Sequence, residues 1–370
     1  MDRNQNSKIS NDRNYGIDAL RIYSMFMIVV LHILSKGGIL ENTSGGGYYL
    51  AWFLEIFAYC AADSYALISG YIRPQKGKKR NFIKFGIMWT QVVFYSFGVT
   101  ALFYLLHIGN VSRRAVIESI FPVASTQYWY FTAYVGLLFL IPVLDFLIDN
   151  LSQKDCNIMV LLLIAVFSIY GTFSKVFGDP FMLADGYSVL WLCMLYFLGA
   201  WMKKYNILNI ISSKVSIVGI LLNTVFVWIC FCWVPFGGLL VSYISPFVLF
   251  NAVFFLSVFA RLNFGILGKR IIAWISPATF GVYLIHCQKV IFNEYLKDAF
   301  LWVTALDSYL ISIIVLLAAV FIFILCLIVE KIRIVLFRFL KVERLIWTMD
   351  RQLREILSRS SQVIKKKKDC

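Results

Sequence analysis

"GIDALRIYSMFMIVVLHI", residues 16–33, is apolar at nearly every position and has the length that a hydrocarbon core demands of a helix. Three of its side chains do not belong in hydrocarbon: Asp18, Arg21 and His32. The same apolar texture continues along the chain. Of 370 residues, 60% are hydrophobic and 15% charged, with a mean hydropathy of +0.77, which excludes a soluble globular domain. The apolar runs are near-continuous and helix-length, without the short alternation of an outer-membrane barrel, so the expected fold is an all-α polytopic membrane protein. Residues 16–33 do not read as a cleaved leader. A polar segment precedes them, an arginine interrupts them, and "SKGGILEN" (35–42) offers no small-residue cleavage site.

Apolar runs set against polar breaks predict ten transmembrane helices, centred near residues 26, 61, 95, 138, 165, 194, 224, 251, 282 and 318. An even number places both termini on one side. With the termini in the cytoplasm, 28 of the 35 Lys and Arg fall inside and six at the outer ends, leaving Arg21 within a span. The net charge of +15 is therefore a topology signal, and no nucleic-acid partner is expected. Residues 1–15 form a cytoplasmic N-terminal segment, 16–330 a ten-helix membrane core and 331–370 a basic amphipathic cytoplasmic tail. In that tail Ile332, Val335, Phe339, Val342, Ile346, Met349, Leu353 and Ile356 follow helical steps. The stripe suits a helix lying on an anionic leaflet, helped by "KKKK" at 365–368, and fits a coiled-coil seam as well. The longest external connection, about 107–127, holds one surface helix, "RRAVIESIF" (113–121).

No CxxC pair exists, and most of the eight cysteines fall in apolar segments, where packing is their expected role. His32, His107 and His286 are far apart in sequence and nothing resembles HExxH, so no metal site is expected.

His32 stands eleven positions after Arg21, close to three helical turns, so both project from one face with a rise of about 16 Å between them. Asp18, three residues before Arg21, is placed to pair with its guanidinium. Taken singly, Arg21 reads as a snorkelling residue and His32 as a boundary residue. Their shared face, and further polar residues in other spans, argue for more. Glu55 and Asp63 lie in "LEIFAYCAADSYALISGY" (54–71), with Gly70 on the Asp63 face to permit close helix contact. His286 lies one helical step from Tyr283 in "SPATFGVYLIHCQ" (276–288), whereas His107 reads as interfacial. Such a track suits acyl transfer from coenzyme A. Arginine grips phosphate through a planar fork, and histidine takes a proton from a hydroxyl near neutral pH.

"NYGIDALRIYSMFMIVVLH" (14–32) resembles the opening of the membrane acyltransferase 3 family, whose mark is Arg or Lys, ten residues, then His. "LISGY" (67–71), "QYWYFTAYVGLLFLIPVL" (127–144), "SYISPFVLFNAVFFLSVF" (242–259) and "SPATFGVYLIH" (276–286) agree in order, so the resemblance covers about 14–330. It implies an integral membrane O-acyltransferase of the bacterial plasma membrane. The donor it implies is acyl-CoA, most often acetyl-CoA, and the acceptor a hydroxyl of a cell-surface polysaccharide or its lipid-linked precursor. By the same resemblance His32 is the catalytic base and Arg21 contacts the donor. The loop "RPQKGKKRNFIK" (73–84) corresponds to a basic donor-side region, with Arg73, Lys79 and Arg80 as candidates, although its lysine-rich make-up also serves as a positive-inside anchor. Asp18, Asp63, Tyr283 and His286 are expected to support the site. The competing reading is a transporter or exporter of a polysaccharide intermediate, which also places charges in membrane, but no inverted repeat is evident.

Overall fold

The computed structural model describes residues 13–74 and 82–352. The described residues are mostly helical, without a strand. Asn14, Ser112, Ser152, Ser188 and Ser212 each accept a hydrogen bond from the backbone N–H three residues on, satisfying one of the orphan donors of the helix that follows. The capped helices are α1 (Tyr15–Leu34), α7 (Arg113–Ile120), α9 (Gln153–Leu163), α11 (Val189–Lys204) and α12 (Ser213–Trp233). Between α1 and α7 lie the short α2 (Ile39–Asn42), then α3 (Gly45–Ala58) and α4 (Ala61–Tyr71), which together make one crossing. They are followed by α5 (Phe82–Val93) and α6 (Val99–Leu105), joined by a π-helical turn at Phe94–Gly98. After α7, the surface helix expected in "RRAVIESIF", come α8 (Trp129–Asn150), α9 and its continuation α10 (Gly171–Ser174). The chain then runs through α11, α12, α13 (Pro246–Phe259), α14 (Ile266–Ile275), α15 (Thr279–His286) and α16 (Ser308–Phe339).

All ten expected centres fall in helical backbone. By length and apolarity, seven helical stretches among the described residues suit a membrane crossing. An eighth is reached if Ile266–His286 and Ile291–Ala305, bent by 72° at their junction, count as one. α11 and α13 are shorter, 16 and 14 residues, and both are wrapped by other helices. A helix shielded by protein need not present a full hydrocarbon thickness of apolar surface. The chain is therefore an all-helical, multi-pass membrane protein.

Two apolar cores meet along α1. One gathers α4, α8, α11 and α13, the other α3, α15 and α16, and Tyr23, Phe57, Tyr59 and Tyr130 border both. Small residues set the closest approaches. Gly70 of α4 lies against the Tyr196 carbonyl and Ala200 of α11, while Gly199 of α11 lies against the Leu67 carbonyl and Tyr71 of α4. A methyl group at either position would collide with backbone, so this reciprocal pair sets the α4–α11 spacing.

α16 passes residue 330 without a break, because its apolar period continues to Phe339. Glu330 and Arg333 are both buried, although the pattern had set Arg333 in a surface tail. After a turn at 340–341 a further helix covers 342–352, with Leu345, Trp347 and Met349 exposed and Ile346 against Gly86 of α5. Leu353, Ile356 and the "KKKK" run lie outside the described residues.

Candidate active site

A cavity of about 1050 Å³ opens where the two cores part. Its walls come from α1, α4, α5, α8 and α15, and they include both Arg21 and His32. The helical spacing read from the sequence thus places both side chains on a single internal surface. Arg13, Asp18, Arg73 and Lys84 also line it, as do the aromatic residues Trp129, Tyr130, Tyr134, Tyr243 and Tyr283.

At the Arg21 end, Asp18 is clamped between two guanidinium groups. Its Oδ1 accepts from Arg21 Nη1 at 2.6 Å and its Oδ2 from Arg13 Nε at 2.6 Å, while the Ser276 hydroxyl donates to Oδ1 at 3.3 Å. The Tyr65 hydroxyl donates to the Arg21 carbonyl at 2.7 Å and ties α4 to α1 at this level. One carboxylate facing two arginines, with Lys84 nearby on the same cavity, leaves this end positive. Arg73 reaches the cavity wall as expected, yet it is held by α8: its Nη2 donates to Asp149 Oδ1 at 2.5 Å and its Nη1 to Asp145 Oδ1 at 3.5 Å. Its charge is largely spent within the fold. Lys79 and Arg80 lie outside the described residues.

At the other end, α15 brings His286 against His32. His32 Nδ1 and His286 Nε2 are 3.0 Å apart, and His286 Nδ1 is 2.6 Å from the Val282 carbonyl. A carbonyl only accepts, so His286 Nδ1 carries the proton; its neutral ring then offers Nε2 as an acceptor, and His32 Nδ1 must donate. The chain from Val282 to His286 to His32 leaves His32 Nε2 as a lone-pair nitrogen on a ring that borders the cavity. Phe292 braces the His32 ring edge-on, with centroids 5.1 Å apart. Tyr283 lines the same cavity, and its ring centroid lies 6.4 Å from that of His286.

Other expected members sit elsewhere. Asp63 is buried between α4 and α11, where its Oδ1 accepts from Trp191 Nε1 at 3.0 Å, and it is absent from the cavity wall. Glu55 is buried on α3, also away from the wall, and His107 is exposed at the end of α6. Three features escaped the sequence reading. The Val282 carbonyl orients His286, Asp145 and Asp149 occupy Arg73, and Cys287 stands 3.5 Å from His32 Nδ1 and 3.4 Å from His286 Nε2. The position of Val282 four residues before a helical histidine is a local signal. The Arg73 carboxylates and the approach of Cys287 to His32 join segments more than seventy residues apart, which spacing alone does not reveal.

Compared with known protein families, residues 14–330 match the acyltransferase domain. No curated protein and no solved structure matches the chain. The match covers most of the chain and spans His32, His286, Arg21 and every helix that walls the cavity, so the protein belongs to the acyltransferase 3 family and is a multi-pass membrane acyltransferase.

Proposed function

We propose that this protein transfers an acyl group, acetyl in the simplest case, from acyl-CoA to a sugar hydroxyl of a cell-surface polysaccharide or its lipid-linked precursor, in a bacterial plasma membrane. The observation that carries this reading is one cavity bordered by a phosphate-grade cationic end at Arg21 and by a tautomer-fixed imidazole at His32. Both termini are taken to be cytoplasmic, as the distribution of Lys and Arg favours, which turns the Arg21 end toward the cytosolic donor. Arg21, with Arg13 and Lys84, receives the nucleotide phosphates; Lys79 and Arg80 are further donor contacts, and Arg73 assists from its carboxylate clamp. The pantetheine arm extends along α1 toward His32.

His32 Nε2 removes the proton from the acceptor hydroxyl as its oxygen attacks the thioester carbonyl carbon. The carbon–sulfur bond then breaks, and the proton held on His32 passes to the departing CoA thiolate. While His32 is positively charged its Nδ1–H bond to neutral His286 strengthens, so His286 stabilises the charged ring without moving a proton itself. Trp129, Tyr130, Tyr134 and Tyr243 present aromatic surface suited to the apolar face of a sugar ring.

The test is purified protein in lipid nanodiscs with radiolabelled acetyl-CoA and saccharide extracted from the producing cell. Label should enter the saccharide as base-labile ester with wild type and fail to do so with His32→Ala. Untouched donor, together with saccharide transport that does not depend on His32, would replace the enzyme reading with the exporter.

A further inference from the structure

His32 Nδ1, His286 Nε2 and Cys287 Sγ form a compact triangle with sides of 3.0, 3.5 and 3.4 Å. Among the described residues they are the one group of three such side chains whose ligand atoms all lie within 4.8 Å of one another. A tetrahedral Zn²⁺, bonded at about 2.0–2.1 Å to nitrogen and about 2.3 Å to sulfur, spaces its nitrogens about 3.3 Å apart and each nitrogen about 3.5 Å from sulfur. The triangle therefore matches one face of that tetrahedron to within about 0.3 Å.

The outer shell agrees. A metal-bound histidine characteristically donates its second ring N–H to a carboxylate or a backbone carbonyl, and His286 already does so to Val282 at 2.6 Å. His286 is thus held in the tautomer that presents Nε2 to a cation. His32 and Cys287 are only partly buried, so packing does not seal the triangle off completely.

We propose that His32, His286 and Cys287 bind a borderline-soft divalent cation, Zn²⁺ foremost, and that its binding reversibly blocks the site. On binding, the Cys287 thiol releases its proton to solvent and the thiolate bonds the metal. His32 shifts its proton from Nδ1 to Nε2, and Nδ1 becomes a ligand beside His286 Nε2. The nitrogen that would accept a proton from a hydroxyl then already carries one. Nitrogen and thiolate donors select Zn²⁺ or Cu⁺ over Mg²⁺ and Ca²⁺.

The binding arm stands apart from the transfer reading; only the inhibition arm rests on it. Full-length protein in detergent, stripped with chelator, is titrated with CoCl₂ and the spectrum recorded. One equivalent of Co²⁺ should give thiolate-to-metal charge-transfer absorption in the near ultraviolet, which ZnCl₂ abolishes by displacement and Cys287→Ser lacks. Zn²⁺ should also shield Cys287 of the wild type from a thiol alkylator, read by peptide mass spectrometry, a measurement that needs no variant. In the transfer assay, with each protein referred to its own metal-free rate, Cys287→Ser should need more than about 10-fold more Zn²⁺ than wild type for the same fractional inhibition. No charge-transfer band in wild type, a band that survives in Cys287→Ser, or unshielded Cys287 overturns the site. Metal binding by a protein that transfers no acyl group would leave the site standing and remove the transfer reading instead.

Discussion

Two regions of this molecule hold ionisable groups inside the helical bundle and differ in what surrounds them. Where α5 and its π-turn cross α16, Glu330 is fully enclosed, and both of its oxygens are taken. Oε1 accepts from Gln91 Nε2 at 3.1 Å and from Arg333 Nη2; Oε2 accepts from Tyr95 OH at 2.7 Å and Arg333 Nε at 3.1 Å. His32 is bonded on one side only, at Nδ1, and its ring borders an open volume. Burial and charge alone do not mark a reactive site. A polar group satisfied on every side is a fastener, whereas one held rigidly from behind and left open in front is equipped to act on a ligand. The two regions are also coupled, because Gly281 of α15 packs directly on the Glu330 side chain. The fastener thereby sets the distance of the helix that carries His286.

The sharpest way to break the contrast is to exchange the behaviour of the two regions by mutation. His32→Ala should lower kcat by about 10²–10⁴-fold, the usual worth of a general base, while equilibrium binding of acyl-CoA is kept. Substituting Glu330→Ala leaves Arg333 buried without its counter-ion, which should cost about 3–5 kcal/mol of stability. A thermal melt in detergent reads that loss, and kcat per folded molecule reads any chemical role. A Glu330→Ala protein with an unchanged melt and abolished turnover would erase the distinction.

The comparison extends to the two ends of the cavity. Arg21→Ala removes a charged fork but not the base, so KM for acyl-CoA should rise by about 10–100-fold with kcat little changed, as expected for charge-assisted bonds worth about 1.5–3 kcal/mol. Steady-state kinetics with the donor varied at saturating acceptor separates the two constants. Equal loss of kcat would mean that Arg21 acts on the reacting carbonyl rather than on the phosphates.

These regions were unequally legible in the sequence. The Arg21–His32 face could be read because it lies within one continuous helix, where the 3.6-residue period fixes which side chains share a surface. The Gly70 contact was legible for the same reason, since a small residue on a polar helical face announces close packing. The His286 partnership with His32 joins residues 254 apart in sequence, and only tertiary packing decides it. Span lengths were less legible than span centres. Apolar runs near 194 and 251 look alike to a hydropathy reading whether they face lipid or protein, yet α11 and α13 are short because neighbouring helices cover them. Arg333 was misread for a related reason. Its partner Glu330 stands one turn before it, but the enclosing Gln91 and Tyr95 come from another span.

Asp63 sharpens the comparison at its small end. A carboxylate in the middle of a span invites a catalytic reading, and the sequence offered it as a supporting residue. In the fold it bonds Trp191 from α11 and stands off the cavity wall, close to Gly70 and Gly199 in the sequence of the same helix pair. The fastener class therefore claims it, with one difference: Oδ2 has no hydrogen-bond partner. Asp63→Asn keeps an oxygen for the Trp191 N–H and relieves any cost of burying a charge, so stability should change by no more than about 1 kcal/mol and either sign is consistent. Turnover at saturating donor and acceptor should stay within about twofold of wild type, because its side chain is bonded to Trp191 of α11 and is absent from the cavity wall. Trp191→Phe removes the donor and leaves Asp63 with neither oxygen bonded, and it should destabilise by about 1–3 kcal/mol, more than Asp63→Asn does. If instead Asp63→Asn stopped turnover with the melt unchanged, the open side of a polar group would no longer be what separates a reactive residue from a fastener in this fold.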